Sequence, residues 1–105
     1  MDSEFIPKEF EKILISLGFY YTQRVHLIHR EKKYYGILWQ QAFDFFREKY
    51  NMSGEVYIFK GFWNFDIEDF KNDIQLFTTN EIVYSTHEEA RLECLKKLIE
   101  IVKNK

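Results

Sequence analysis

The chain has 105 residues, 46% of them hydrophobic and 19% aromatic, with 15 basic side chains against 17 acidic ones for a net charge of −2. That aromatic content excludes a disordered chain, and a charge so near zero supplies no global field toward nucleic acid or an anionic membrane. The single cysteine excludes an intrachain disulfide, and no run approaches the ~20 apolar residues of a membrane span.

The length fits a single domain over residues 1–105. The Met-Asp-Ser-Glu start carries neither the basic residues nor the apolar run of a secretion signal, so a reducing, cytoplasmic setting is expected. Pro7 opens the first expected helix, residues 7–17, where its missing N–H costs nothing. On that register Ile6 is the cap, and Phe5 and Phe10 form a hydrophobic staple. Phe10, Ile13, Leu14 and Leu17 then recur at helical spacing, and Gly18 supplies the stop.

Residues 19–35 are harder to read. Val25 and Leu27 alternate with His26 and Ile28, which favours a short strand, although Val25 and Ile28 together also suit a helix. The stretch is locally basic, with Arg24, Arg30, Lys32 and Lys33 against Glu31 alone. Tyr20, Tyr21, Tyr34 and Tyr35 surround these charges.

A second amphipathic helix is expected over residues 37–50. Leu38, Trp39, Ala42, Phe43, Phe45, Phe46 and Tyr50 share one side, and Gln40, Gln41, Asp44, Arg47 and Glu48 the other. The polar and glycine residues of 51–54 stop it. Next comes a hairpin, 55–59 and 62–68, turning at Lys60-Gly61. In that register Ile58 faces Trp63 and Val56 faces Phe65, and with Ile67 these residues make one buried face. Glu55 then opposes Asp66, a like-charge pair costing some tenths of a kcal/mol. Asn72-Asp73 reads as a further turn, and Ile74 to Phe77 as a third strand. Thr79-Asn80 breaks that run, and Ile82-Val83-Tyr84 leads on as a strand end or an extended connector.

The last stretch, 85–105, carries the strongest local signal. Thr86 and Glu89 have the spacing of a capping box. Ala90, Leu92, Cys94, Leu95, Leu98, Ile99, Ile101 and Val102 fill one wide apolar arc, with Glu93, Lys96, Lys97 and Glu100 opposite. An arc this wide needs a broad neighbour such as a sheet. The expected architecture is α+β: an antiparallel meander of three or four strands packed against two or three helices, ending in a long C-terminal helix.

Two stretches carry a resemblance. One is Trp39 to Tyr50, ending Phe-Phe-Arg-Glu-Lys-Tyr, with Phe46 at a position usually held by Leu. The other is Tyr84-Ser-Thr-His-Glu-Glu-Ala90 before a leucine-rich closing helix. In these the chain resembles small proteins carried by phages and mobile elements of Bacteroides-type bacteria. The resemblance implies a small soluble accessory protein and no particular activity.

Chemistry-bearing residues are sparse. His26 and His29 have metal-ligand side chains, but on a strand residues three apart point to opposite faces. Asp66, Glu68, Asp69 and Asp73 form an acidic run, in which Asp66 and Glu68 share a strand face and could hold a cation. A solvated outer face of the hairpin, which also deters edge aggregation, is the favoured reading of them. No nucleophile–base order and no phosphate loop is present, so no catalytic residue, metal or cofactor is assigned, and a non-enzyme is expected. Cys94 sits inside the apolar arc and reads as a buried thiol.

Two functional readings follow. The first is protein association, as a homodimer or with another protein, through Tyr57, Phe59 and Phe62 on the face opposite the hairpin's core side. The alternative is nucleic-acid binding by Arg24, Arg30, Lys32, Lys33, Tyr34 and Tyr35, cations on phosphates and rings on bases. No membrane partner and no small-molecule substrate is inferred.

Overall fold

The computed structural model describes residues 4–79 and 84–104, and the side chains of Tyr21, Leu27, His29, Lys32, Lys33 and Tyr34 lie outside that description. The elements follow in the order α1 (Lys8–Leu17), a 3-10 turn (Tyr21–Gln23), β1 (Val25–His29), β2 (Lys32–Gly36), α2 (Trp39–Tyr50), β3 (Met52–Phe59), β4 (Phe62–Asp69), β5 (Ile74–Thr78) and α3 (His87–Lys103). The class is α+β, with antiparallel sheets β1-β2 and β3-β4-β5 and a C-terminal helix. The chain divides into two compact units, residues 1–45 and 46–105, and the boundary falls inside α2.

In the first unit, α1 begins one residue later than expected. The Pro7 carbonyl accepts from the Phe10 and Glu11 N–H groups at 3.0 and 3.1 Å, so Pro7 is the cap and Lys8 the first helical residue. Gly18 closes α1 in the left-handed region at φ 118°, where its lack of a Cβ removes the strain. Phe5 and Ile6 do more than introduce the helix. Phe5 bridges to Leu38, the Ile6 N–H donates to the Ile37 carbonyl at 2.9 Å, and Phe5, Ile6 and Ile37 are all buried.

The troublesome stretch 19–35 is a 3-10 turn followed by a hairpin. β1 matches the expected strand, whereas β2 has no alternation signature of its own. Its turn, Arg30-Glu31, places both residues at positive φ (51° and 67°) without glycine or asparagine. That is why the usual turn signal is missing from the sequence. The start of α2 also lacks a capping side chain at its first position. Gln41 compensates, its Oε1 accepting from the Leu38 N–H at 2.9 Å while its Nε2 donates to the Gln23 carbonyl at 2.8 Å.

In the second unit, Asn51 at φ 59° is the single residue between α2 and β3, which starts at Met52, earlier than expected. The hairpin register is the expected one: Val56 pairs with Phe65, Ile58 with Trp63, and Glu55 with Asp66. Lys60 and Gly61 both take positive φ (53° and 83°), as a two-residue primed turn requires. β5 pairs with β4 through a bulge that leaves Leu76 without an opposite residue. Asp69 organises the β4–β5 turn, its Oδ1 accepting from the Lys71 and Asn72 N–H groups at 3.1 Å.

α3 packs on β3 and β4. Its buried residues Ala90, Cys94, Leu95, Leu98 and Ile99 belong to the expected arc and share the core with Met52, Phe65 and Ile67. The Thr86 hydroxyl accepts from the Glu89 N–H at 3.1 Å, and the Glu89 carboxylate meets the Ser85 and Thr86 hydroxyls at 3.1 and 3.3 Å. Lys97, expected on the solvent side, instead stands 4.6 Å from the centre of the Phe77 ring. Trp63 and Tyr84 exchange two backbone hydrogen bonds of 2.9 Å, so Tyr84 extends the pairing of β4 just before α3. The extended residues expected at Ile82 and Val83, and Asn80 in the preceding break, lie outside the described residues.

Candidate functional site

Two places on the molecule concentrate the residue types singled out above. The first lies on the β1-β2 hairpin. Antiparallel register places His26 opposite Tyr35, and paired residues share a face. Their rings stand 5.7 Å apart and tilted by 40°. Thr22, from the 3-10 turn, and Arg24, just before β1, complete a cleft of about 440 Å³ with this pair.

Arg24 is held there by a carboxylate with no apolar-pattern reason to be inside. Glu11 projects from α1 and is only 5% exposed. Its Oε1 accepts from Arg24 Nη1 at 2.5 Å, and its Oε2 from Lys8 Nζ at 3.1 Å. Lys8 also donates to the Tyr35 backbone carbonyl. A buried carboxylate demands such partners because losing water costs several kcal/mol. The set fastens α1 to β2 and to the residue just before β1, and holds Arg24 in the wall of the cleft.

Of the residues expected to contact nucleic acid, Arg24 and Tyr35 meet in this cleft. Arg30 is exposed in the β1-β2 turn. Lys32, Lys33 and Tyr34 have their backbone in β2, and their side chains lie outside those described. Glu11, Thr22 and His26 were not singled out for this chemistry. The signal available for Glu11 was its place on α1 directly after Phe10 and just before the apolar positions Ile13 and Leu14, which Glu9 does not share.

The second place is the tip of the β3-β4 hairpin. Phe59 and Phe62 pair directly and are 59% and 48% exposed. Ile58, expected on the buried face, is 58% exposed. The alternation gives its side of the sheet correctly, but this close to the turn the burial fails. Lys60 lies 5.3 Å from the Phe59 ring centre. Tyr57 differs from its neighbours, being half-buried with its hydroxyl donating to Asp66 Oδ1 at 3.2 Å. Burial first, and the Asp66 charge second, raise the Tyr57 pKa.

Two members of the acidic run, Asp66 and Asp69, serve the fold. Asp66 accepts from Tyr57 and, at 2.7 Å, from the Thr78 hydroxyl, which offsets its opposition to Glu55. Asp69 caps the turn, and Glu68 and Asp73 are exposed. Thr79 and Asn64 form a buried polar pair: Thr79 Oγ1 accepts from the Phe65 N–H at 2.9 Å and faces Asn64 Oδ1 at 3.1 Å. His26 and His29 both lie in β1, and the His29 side chain is outside those described. Among the described residues no group of three or more His, Cys, Asp or Glu side chains could hold a metal ion. No helix among them is long and apolar enough to cross a membrane.

Cys94 is buried, as its place in the arc implied. Burial chiefly, with the Asp66 charge behind it, pushes its thiol from an ordinary 9.0 up to about 12. Tyr84 is raised as well, by burial and then by Glu93. Comparison with protein-family models, with curated proteins and with solved structures gives no match.

Proposed function

We propose that this protein is a small non-enzymatic accessory domain that works by binding protein, through the tip of the β3-β4 hairpin, with a second copy of itself as the first partner. The observation that carries the reading is the joint exposure of Ile58, Phe59 and Phe62 around one two-residue turn. Aromatic side chains lose little entropy on docking and are preferred anchors of interfaces. The hairpin holds them in one geometry before any partner arrives, which lowers the ordering cost of association. The resemblance to accessory proteins of phages and mobile elements agrees with this role.

Light scattering on wild type and on the double variant Phe59→Ser/Phe62→Ser tests the reading. The expected result is a concentration-dependent rise toward twice the 12.9 kDa chain mass, lost in the variant without a change in thermal unfolding. A wild type that stays monomeric at its highest soluble concentration, and that retains no protein the variant fails to retain, removes it.

A second reading, nucleic-acid binding, is favoured by one observation. Thr22, Arg24, His26 and Tyr35 line a single cleft within the basic, tyrosine-rich segment. Phosphate contacts would make such binding salt-sensitive. Titrating labelled single- and double-stranded oligonucleotides at low and high salt checks it, and absence of salt-sensitive binding in the micromolar range dismisses it.

A further inference from the structure

The geometry points to a nucleotide unit as the ligand of the β1-β2 cleft, with the base against the His26 and Tyr35 rings and the phosphate toward Arg24 and Thr22. The inference rests on the second reading above and narrows it to one site and one ligand chemistry.

Three features of the cleft converge. The first is aromatic. His26 and Tyr35 are both exposed and sit side by side across the strands, with centroids 5.7 Å apart. Their 40° tilt leaves them short of stacking flat on each other, so a planar ring can lie against them. Every base offers a π-face for such stacking, whatever its sequence.

The second feature is charge. Arg24 lines the cleft while bonded to Glu11, and Lys8 shares the same carboxylate. The guanidinium places a cation beside the rings, and a phosphate is the ligand group that a cation attracts. Glu11 therefore acts as a positioning residue: it holds the guanidinium at the wall and touches no ligand itself. A guanidinium is a weakly hydrated cation suited to phosphate oxygens, and Thr22, which carries a hydroxyl, lines the same cleft.

The third is size. About 440 Å³ lies within the range of small-ligand sites. A base stacked inside a duplex could not reach the rings, so the ligand is either one unit of a single strand or a free nucleotide.

The test uses the full chain with three probes: a labelled oligouridylate dodecamer, the matching duplex, and free uridine and adenosine monophosphates. Affinities are measured at low and high salt for wild type, Tyr35→Ala, His26→Ala and Tyr35→Phe. Tyr35 and His26 are exposed, so their variants remove ring surface without opening the core, and circular dichroism melting confirms that they fold. The expected outcome is saturable, salt-sensitive binding of the single strand that weakens roughly tenfold in each alanine variant and persists in Tyr35→Phe. Binding of the monophosphates with the same variant pattern assigns the site to free nucleotides, and binding of the dodecamer alone assigns it to a strand; both support the cleft. Dodecamer binding that is indifferent to both alanine variants overturns the cleft and leaves the nucleic-acid reading standing. No binding of any probe overturns both.

Discussion

Glu11 is the residue on which the first unit turns. Its side chain is almost wholly buried between an exposed Lys8 and a mostly buried Arg24, so the Arg24 contact carries most of the interaction. Removing one partner of a buried pair strands the other without water. Glu11→Ala is therefore expected to cost roughly 3 kcal/mol, and Glu11→Leu/Arg24→Leu much less. Urea midpoints of the two variants decide it, and equal losses would contradict the account. Cys94 makes a second prediction. Its folded thiol, at about 12, holds the proton more tightly than an unfolded thiol at 9.0. The stability it contributes is therefore full below pH 9.0 and is lost as pH rises toward about 12. Tyr57 and Tyr84 are shifted in the same direction and add to the loss once pH passes their ordinary value of 10.0. Unfolding midpoints across this range should fall, and fall less in Cys94→Ala. In the native protein below pH 9.0 the thiol should resist a disulfide reagent until the chain unfolds.

At the scale of elements, ends and turns decide more than middles. The Thr86 hydroxyl caps α3 by accepting from the Glu89 N–H at 3.1 Å, so Thr86→Ala should lower stability by about 1 kcal/mol. Gly36 ends β2 where Phe5 crosses it, and an added Cβ would lie 2.7 Å from Cγ of that ring. Because the atom approached is the root of the ring, Phe5 cannot simply swing aside, and Gly36→Ala should lower the melting temperature. Lys60 gives the opposite sign. It occupies left-handed backbone at φ 53°, which asparagine tolerates better than lysine. Lys60→Asn should raise stability by roughly 0.5 kcal/mol; a fall in the melting temperature would refute the turn assignment.

For the whole molecule, the apolar surface at the β3-β4 tip and the overall charge act together. With a sequence pI near 5.9, self-repulsion is weakest just below neutral pH. Association through Phe59 and Phe62 should be strongest near that pH and weaken above it. The Phe59→Ser/Phe62→Ser variant should then be more soluble than wild type near pH 5.9, measured as residual protein after centrifugation. Equal solubility of the two proteins would separate the tip from association. Near pH 5.9, where net self-repulsion is smallest, added salt should change little at the tip, because its contacts are apolar, and should weaken any ligand of the β1-β2 cleft.

Short-range chemistry determined a large part of this protein from the sequence alone. Helical spacing and stop residues placed α1 and α2, the Thr86–Glu89 spacing placed the start of α3, and period-two alternation set the β3-β4 register to the residue. These signals are local, and each is written within a few positions of where it acts. The tertiary structure decided what depends on distant neighbours. Alternation gave the side of the sheet on which Ile58 lies, not whether anything covers it. β2 forms because β1 is beside it to pair with, through a turn whose residues carry no turn signature. Glu11 reads as a surface acid until Arg24, thirteen residues on, and Lys8 reach it, and only then do Arg24, His26, Tyr35 and Thr22 share a cleft. A buried charge is stable only beside its partners, and partners brought together by folding leave no spacing rule in the chain.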